Sequence, residues 1–168
     1  MGNPLLIFGE AATGKTHLAY YFCRKLEEKG GCSFIAVEPG TTLFLRRIGG
    51  EFDYAASIDE LARIAVREAA ESNFIVIDSI NWLYRDEPGI KSARYISLVS
   101  ALLYEVGGVA VAQVSGEERL PSGHKFLTPW YRGIARTSRE KDLFKLELIR
   151  PFKRVFAFKI RDGSVEWI

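Results

Sequence analysis

The sequence predicts an α/β domain in which a mostly parallel sheet is flanked by helices and ends in C-terminal antiparallel strands. Continuous apolar runs, which are typical of strands buried on both faces, alternate with segments of helical period. A glycine-rich loop joins the first apolar run to the first helix. Near the C-terminus, apolar and polar side chains alternate instead, as they do in antiparallel strands with one exposed face.

The glycine-rich loop fits the phosphate-binding pattern G-x-x-x-x-G-K-[ST]. It follows an apolar strand, Leu5–Phe8, and leads into an amphipathic helix, which is the context of such loops. A glycine-rich turn that binds nothing is the alternative, and the two flanking elements argue against it. The residues predicted to contact the phosphates are Gly9, Glu10, Ala11, Ala12, Thr13, Gly14, Lys15 and Thr16.

The residue types in this loop suit an anion. Gly9 and Gly14 let the backbone turn tightly and approach a ligand closely. The loop amides and the N-terminal end of the helix then point at the β-phosphate. Lys15 places a positive charge near the β- and γ-phosphates, and Thr16 offers a hydroxyl to Mg²⁺.

Composition predicts a single globular domain over residues 1–168, since 48% of the residues are hydrophobic and 12% aromatic. No apolar run approaches the roughly 20 residues that span a membrane, and the apolar start runs directly into the loop without a signal peptide. Cys23 and Cys32 lack metal-site spacing and a secretory context. We therefore expect reduced cysteines and a cytoplasmic protein without a membrane partner.

The net charge of +2 is unevenly distributed. Residues 119–161 contain twelve Lys or Arg and three acidic residues, whereas the rest of the chain is acidic. This asymmetry suggests a polyanionic partner. A solvated surface with interleaved ion pairs is an equally good explanation of the charge alone.

Acidic residues follow two predicted inner strands. Glu38 follows Ser33–Val37, where it is placed to polarise a water aimed at the γ-phosphate, although a solvated loop carboxylate is an equal alternative. Phe74–Ser79 is a third buried strand that contains Asp78, which we expect to hold Mg²⁺ together with the loop threonine. Between them, residues 41–50 suit a short helix, and Ser57 begins a capping box for another.

The remaining inner elements are assigned less directly. Residues 82–92 are predicted to form a loop, 95–106 a helix, and 109–114 a fourth buried strand. Gln113, at the end of that strand, is placed to sense the γ-phosphate, unless its amide is bonded to a loop backbone. Residues 115–129 are predicted to be irregular, and residues 130–141 to be an irregular basic segment with one helical turn.

The C-terminal strands are predicted at residues 143–148, 155–160 and 165–168, with a hairpin turn at Arg161-Asp162-Gly163. Together with the loop, Glu38, Asp78 and the strand ending near Gln113, this order resembles the RecA superfamily. More narrowly, it is similar to archaeal RadA/RadB-type recombinase paralogues and their KaiC-like relatives. The resemblance implies a RecA-like P-loop ATPase core.

The resemblance also implies functions for single residues. It implies ATP binding by the loop with Lys15, water activation by Glu38, Mg²⁺ coordination by Thr16 and Asp78, and γ-phosphate sensing by Gln113. The loops after the third and fourth strands would face single-stranded DNA, with Trp130 or Tyr131 stacked on a base. The DNA contacts implied are Arg85, Lys91, Arg94, Arg119 and Lys125.

The chain begins at the strand before the loop, so we expect an accessory protein of DNA recombination or repair, with slow ATP hydrolysis and no filament formation. A recombinase or another protein is a further possible partner. The alternative is a KaiC-like regulatory module whose ATP state controls an acidic protein partner. A small-molecule phosphotransferase is disfavoured, because no arginine-rich lid follows the third helix.

Overall fold

A single mixed sheet of nine strands runs through the computed structural model, which describes residues 3–27, 31–71, 74–114 and 119–168. The strands are β1 (Leu5–Gly9), β2 (Ser33–Ala36), β3 (Asp53–Tyr54), β4 (Ile75–Asp78), β5 (Gly108–Gln113), β6 (Gly133–Glu140), β7 (Leu143–Arg150), β8 (Arg154–Arg161) and β9 (Ser164–Trp167). The helices are α1 (Lys15–Glu27), α2 (Pro39–Arg47), α3 (Ile58–Glu71), α4 (Trp82–Asp86), α5 (Ile90–Val106) and α6 (His124–Leu127), followed by a 3₁₀ turn at Thr128–Trp130.

The strand order is β3-β2-β4-β5-β1-β6-β7-β8-β9. The pairings from β3 to β6 are all parallel, and those from β6 to β9 are antiparallel. This arrangement confirms the predicted fold class. Strand β1 lies at the centre, where Leu6 is in register with Ala110 of β5 and Ile134 of β6.

The core consists of two apolar layers, one on each face of the sheet. Along β1, Leu6 and Phe8 belong to the layer that contains the buried residues of α3 and α5. Ile7 belongs to the opposite layer, with Leu18 and Ala19 of α1. Because successive side chains of a strand point to opposite faces, one continuous apolar run fills both layers. No helix in the described ranges has the length and apolar character needed to cross a membrane.

Residues 82–92, predicted to be a loop, contain α4 and the start of α5 instead. Helix α4 is only five residues long, which is too short for a periodic pattern to reveal. Pro88-Gly89 separates the two helices. The first hydrogen bond of α5 runs from the Ala93 amide to the Gly89 carbonyl at 2.9 Å, so this helix starts at residue 90, five residues before the predicted start at residue 95.

Residues 133–140 form the long strand β6, although residues 130–141 were predicted to be irregular with one helical turn. Its polar and basic residues hide the strand pattern, but Ile134, Ala135 and Thr137 are buried. The strand is held on one side by β1 and on the other by β7. In the predicted irregular stretch before it, α6 occupies residues 124–127, while residues 115–118 lie outside the described ranges.

Cys23 and Cys32 form a disulfide, so the prediction of reduced cysteines is wrong. Cys23 is buried on α1, and Cys32 immediately precedes β2. Their Cα atoms lie 5.5 Å apart, and α1 packs against β2. The cysteine argument for a cytoplasmic location therefore no longer holds.

Reduction of this disulfide is expected to lower the free energy of unfolding by about 2.5 kcal/mol, because the bond closes a short loop in the unfolded chain. Urea unfolding with and without a phosphine reductant measures the difference. A double variant, Cys23→Ala with Cys32→Ala, should be insensitive to the reductant. Equal stability of the oxidised and reduced wild type would contradict the prediction.

Candidate nucleotide-binding site

The predicted site residues meet along one edge of the sheet, at the carboxyl ends of the parallel strands. The phosphate loop follows β1, Glu38 lies two residues after β2, and Asp78 ends β4. Gln113 ends β5 and is in register with Gly9. Open α/β sheets bind ligands at this edge, so the fold brings the loop and the strand-end residues to one place.

The loop folds around its own carbonyl groups. The Thr13 hydroxyl donates to the Glu10 carbonyl at 2.8 Å, and the Lys15 ammonium donates to the same oxygen. Gly14 has φ +83°, which strongly favours glycine. Lys15 is buried, and burial lowers the pKa of its ammonium group, although the carboxylates of Asp78, Glu38 and Glu10 oppose that shift.

Strand β6 packs closely against the start of the loop. A Cβ at Gly9 would lie 2.6 Å from the Thr137 carbonyl oxygen, so only glycine fits there. The Thr13 and Thr137 hydroxyl oxygens are 2.7 Å apart. The Thr137 hydroxyl also donates to the Phe8 carbonyl at 3.4 Å, and either threonine can donate in the bond between the two hydroxyls. The hydroxyl of a buried β6 residue therefore supports the phosphate loop.

Substitution Thr137→Val should lower the free energy of unfolding by about 1 kcal/mol, since valine keeps the shape of the side chain but removes a buried hydroxyl and its hydrogen bonds to Thr13 and Phe8. Urea unfolding measures this change. Thr42→Val is the matched control, because the Thr42 hydroxyl donates to the Pro39 carbonyl at 2.7 Å near the surface. A loss no larger than that of the control would contradict a supporting function of Thr137.

Two aromatic rings lie beneath the second loop glycine. A Cβ at Gly14 would lie 3.1 Å from the Phe144 ring and 3.2 Å from the Phe158 ring. These rings, from β7 and β8, stack with their centroids 5.3 Å apart. The antiparallel strands thus form part of the support of the loop, which the alternation in their sequence does not reveal.

Asp78 accepts hydrogen bonds from two threonines. The Thr41 hydroxyl donates to its carboxylate at 3.1 Å, and the Thr16 hydroxyl also bonds to it. Burial raises the pKa of the Asp78 carboxyl, and both hydroxyls and the charge of Lys15 oppose this rise. The carboxylate therefore lies where additional positive charge would stabilise its ionised form.

This donor set fits Mg²⁺. No group of three His, Cys, Asp or Glu side chains within the described ranges forms a protein-only metal site. Mg²⁺ keeps several waters and takes one or two protein oxygens together with phosphate oxygens. A carboxylate and a threonine hydroxyl beside a phosphate loop meet that requirement, so Asp78 and Thr16 are the residues that would hold the ion.

Glu38 is positioned by its backbone, and none of the described hydrogen bonds uses its carboxylate. It is the N-cap residue of α2, but its carboxylate makes no capping hydrogen bond. Its backbone amide donates to the Asp78 carbonyl at 3.4 Å, which ties it to β4. Burial and the Asp78 carboxylate raise the pKa of Glu38, whereas the charges of Lys15 and Arg85 oppose the rise. A half-buried carboxylate without a cap is suited to accept a proton from water.

Gln113 is held through its backbone by a residue that the sequence did not indicate. The Asn81 side chain donates to the Gln113 carbonyl at 2.9 Å and accepts from its amide at 2.9 Å. Asn81 is fully buried just after β4. This two-way bond fixes the end of β5 relative to β4, and the described hydrogen bonds of Gln113 leave its side-chain amide available.

A cavity of about 740 Å³ opens beside the loop. Besides loop residues and α1, it is lined by Arg139, Lys159 and Arg161 from the C-terminal strands. His17 and Phe44 form another part of the wall, with their ring centroids 4.5 Å apart. Part of the basic C-terminal third therefore faces the phosphate loop of the same chain, where a nucleotide is itself a polyanion.

The predicted DNA contacts lie in different surroundings. Arg94, Arg119 and Lys125 are exposed, whereas Lys91 forms an ion pair with Asp59 at 2.8 Å. Arg85 is only half-exposed, and its Nη1 atom is buried. Of these predicted contacts, Arg85 is thus the one that is directed inward, whereas the others lie at the surface.

The two aromatic residues suggested for base stacking, Trp130 and Tyr131, differ in how deeply their side chains are buried. Tyr131 is 2% exposed and lies 3.2 Å from the Ser100 hydroxyl, so its suggested base stacking is wrong. Its burial follows from its position immediately before β6, in the layer that contains α5. Trp130 is half-buried and donates from its indole to Ser97 at 2.9 Å.

Comparison with known proteins identifies the fold. No protein-family model matches the chain, and no curated protein is similar in sequence. A solved structure of a KaiC-like protein from the hyperthermophilic archaeon Pyrococcus horikoshii OT3 matches with a TM-score of 0.66. The two are 18% identical over 99% of this chain and 89% of that one. The chain therefore has a RecA-like fold of the kind found in that KaiC-like protein.

Proposed function

We propose that this chain binds ATP together with Mg²⁺ and hydrolyses it slowly. The observation that supports the proposal is the convergence of the phosphate loop, Asp78 and Glu38 at one sheet edge. A glycine-rich turn without a ligand would not explain why a buried lysine and two carboxylates interact there.

Each residue has a chemical function in this proposal. Lys15 and the loop amides bind the β- and γ-phosphates. Mg²⁺ held by Thr16 and Asp78 supplies charge neutralisation on the phosphate oxygens. Glu38 accepts a proton from the attacking water, and Gln113 senses the terminal phosphate. Binding thus uses loop geometry, and hydrolysis uses the ends of three neighbouring strands.

Isothermal titration calorimetry tests the binding step directly. ATP should bind with one-to-one stoichiometry in the presence of Mg²⁺, and chelation of the ion should weaken the binding. Radiolabelled phosphate release then measures the turnover. Absence of heat at millimolar ATP, with Mg²⁺ present and the protein folded, would contradict the proposal.

Single-stranded DNA is the partner that we propose for the exposed cations. Arg94, Arg119 and Lys125 are solvent-facing, and Phe126 is exposed beside the last of these. Cations interleaved with exposed apolar rings suit a flexible polyanion whose bases can stack. In the cell, this proposal places the protein in the cytoplasm, as an accessory of recombination or repair.

A triple variant, Arg94→Gln with Arg119→Gln and Lys125→Gln, should weaken binding of single-stranded DNA by about tenfold or more at low salt. The affinity of the wild type should fall steeply as salt is raised, because phosphate contacts release counterions. Fluorescence anisotropy with a labelled oligonucleotide measures both effects. Equal affinities of the wild type and the variant would contradict DNA contact through these residues.

A nucleotide-dependent regulatory module is the second candidate, since the structural neighbour is named as KaiC-like. In this case the basic surface would bind an acidic protein, such as a recombinase, when ATP is bound. Competition distinguishes the candidates: DNA should displace such a protein if both use the exposed cations.

A further inference from the structure

Arg85 carries a buried guanidinium nitrogen whose hydrogen-bonding capacity is not used within the described residues. Its Nη1 atom is the one buried side-chain nitrogen or oxygen there that has no hydrogen-bond partner. The guanidinium carbon lies 5.8 Å from the centre of the Trp82 ring, so the ring covers one side of the group. Burying a charged donor without an acceptor is costly, which points to an anionic ligand.

The backbone around Arg85 is fixed by a short chain of hydrogen bonds. Its amide donates to the Asn81 carbonyl at 3.0 Å. The Asn81 side chain in turn holds both backbone groups of Gln113, and its oxygen accepts from Ser79 at 3.1 Å. Arg85 is therefore anchored to the ends of β4 and β5, which form the edge where the phosphate loop opens.

Arg85 lies on the side of the site where hydrolysis is expected, because its helix α4 follows β4, which ends at Asp78. Its positive charge acts on the Glu38 carboxylate, which also interacts with Asp78 and Lys15. Among the described hydrogen bonds, none joins Arg85 to Glu38. A group that carries negative charge and lies between these residues would supply the missing acceptor for Nη1.

We infer that Arg85 binds the terminal phosphate of a nucleoside triphosphate in the same chain, as a catalytic cation directed at the site. The inference rests on the proposed function, because it needs a triphosphate in the loop. In this inference Arg85 contacts the nucleotide, whereas the exposed cations Arg94, Arg119 and Lys125 remain available to other anions. A diphosphate lacks the group that Nη1 would contact, so Arg85 distinguishes ATP from ADP.

The test compares two affinities in the same protein. Calorimetry measures binding to the wild type, to Arg85→Gln and to Arg85→Lys. One ligand is ADP and the other is the β,γ-imido analogue of ATP, each in the presence of Mg²⁺. In Arg85→Gln the analogue should bind about 10- to 100-fold more weakly, because one or two charge-assisted hydrogen bonds are lost, and ADP binding should change less than about twofold. Arg85→Lys, which keeps the charge, should recover part of the loss.

Arg63→Gln is the matched control, since Arg63 is an exposed arginine of α3 with only a surface ion pair to Glu60. It should leave both affinities unchanged. Circular dichroism and thermal unfolding verify that each variant is folded.

Two results would overturn this inference alone. An equal loss of affinity for ADP and for the analogue would show that Arg85 maintains the structure of the site and does not contact the terminal phosphate. Unchanged affinities with weaker DNA binding would assign it to DNA. In both cases the wild type binds the analogue and ADP, and Arg85→Gln does not alter the ratio of the two affinities. If the wild type bound neither nucleotide, the proposed function would fail with it.

Discussion

Replacing Lys15 by alanine is expected to lower the affinity for Mg²⁺·ATP by roughly 100-fold or more, which corresponds to about 3 kcal/mol. Lys15 is buried beside the phosphate loop, and its ammonium binds only to the Glu10 carbonyl among the described hydrogen bonds. Charge-assisted bonds to two phosphates would replace that single neutral acceptor. Calorimetric titration of wild type and variant with ATP measures the loss.

The fold should tolerate this change. Burial lowers the pKa of the Lys15 ammonium, so we do not expect its charge to contribute much to the stability of the fold. We therefore expect the free energy of unfolding to change by less than about 1 kcal/mol. Lys25→Ala removes an exposed charge from the same helix and is the matched control. Retention of full ATP affinity in Lys15→Ala would refute phosphate binding by the loop.

Replacing Glu38 by glutamine is expected to slow ATP hydrolysis by about 10²- to 10⁴-fold, the usual contribution of a general base. Glutamine is similar in size but cannot accept the proton of the attacking water. Because the Glu38 backbone bonds to Asp78 do not depend on the side chain, the site should keep its geometry. Single-turnover phosphate release at saturating ATP measures the effect.

Binding separates this prediction from a general loss of structure. The Glu38→Gln variant should bind ATP within about threefold of the wild type, because its side chain is not a phosphate ligand in the proposal. Glu51→Gln, at an exposed carboxylate, should alter neither quantity. An unchanged hydrolysis rate in Glu38→Gln would show that another group activates the water.

Local sequence patterns predicted the inner part of the fold well. Each parallel strand that reads as an apolar run occurs where expected, and the acids that follow β2 and end β4 reach the same edge. This succeeds because the carboxyl ends of neighbouring parallel strands must lie together, whatever the loops between them do. The phosphate loop is likewise a local motif with a fixed backbone requirement.

The predictions failed where tertiary pairing overrides composition. Strand β6 contains Arg136, Ser138, Arg139 and Glu140, so its sequence resembles a loop, but hydrogen bonding to β1 and β7 makes it a strand. The support of the loop by Thr137 depends on that pairing and was therefore missed. A buried threonine in a basic segment has no sequence signal that distinguishes it from an exposed one.

The partial burial of Arg85, and of its Nη1 atom in particular, was missed for a related reason. As part of a polar, turn-rich stretch, it reads as a solvent-exposed cation. A five-residue helix anchored by Asn81 turns it inward instead. The available signal was Asn81, an asparagine shortly after the strand-ending Asp78. Its hydrogen-bond partner, the backbone of Gln113, is thirty-two residues away along the chain, so a local pattern does not reveal the bond.

A crystal structure with Mg²⁺ and a non-hydrolysable ATP analogue tests the central claim most directly. The claim predicts density for the β-phosphate inside the loop from Gly9 to Thr16, with the ion beside Asp78 and the terminal phosphate facing Glu38. An empty loop at saturating analogue, or a nucleotide bound elsewhere on the molecule, would contradict it.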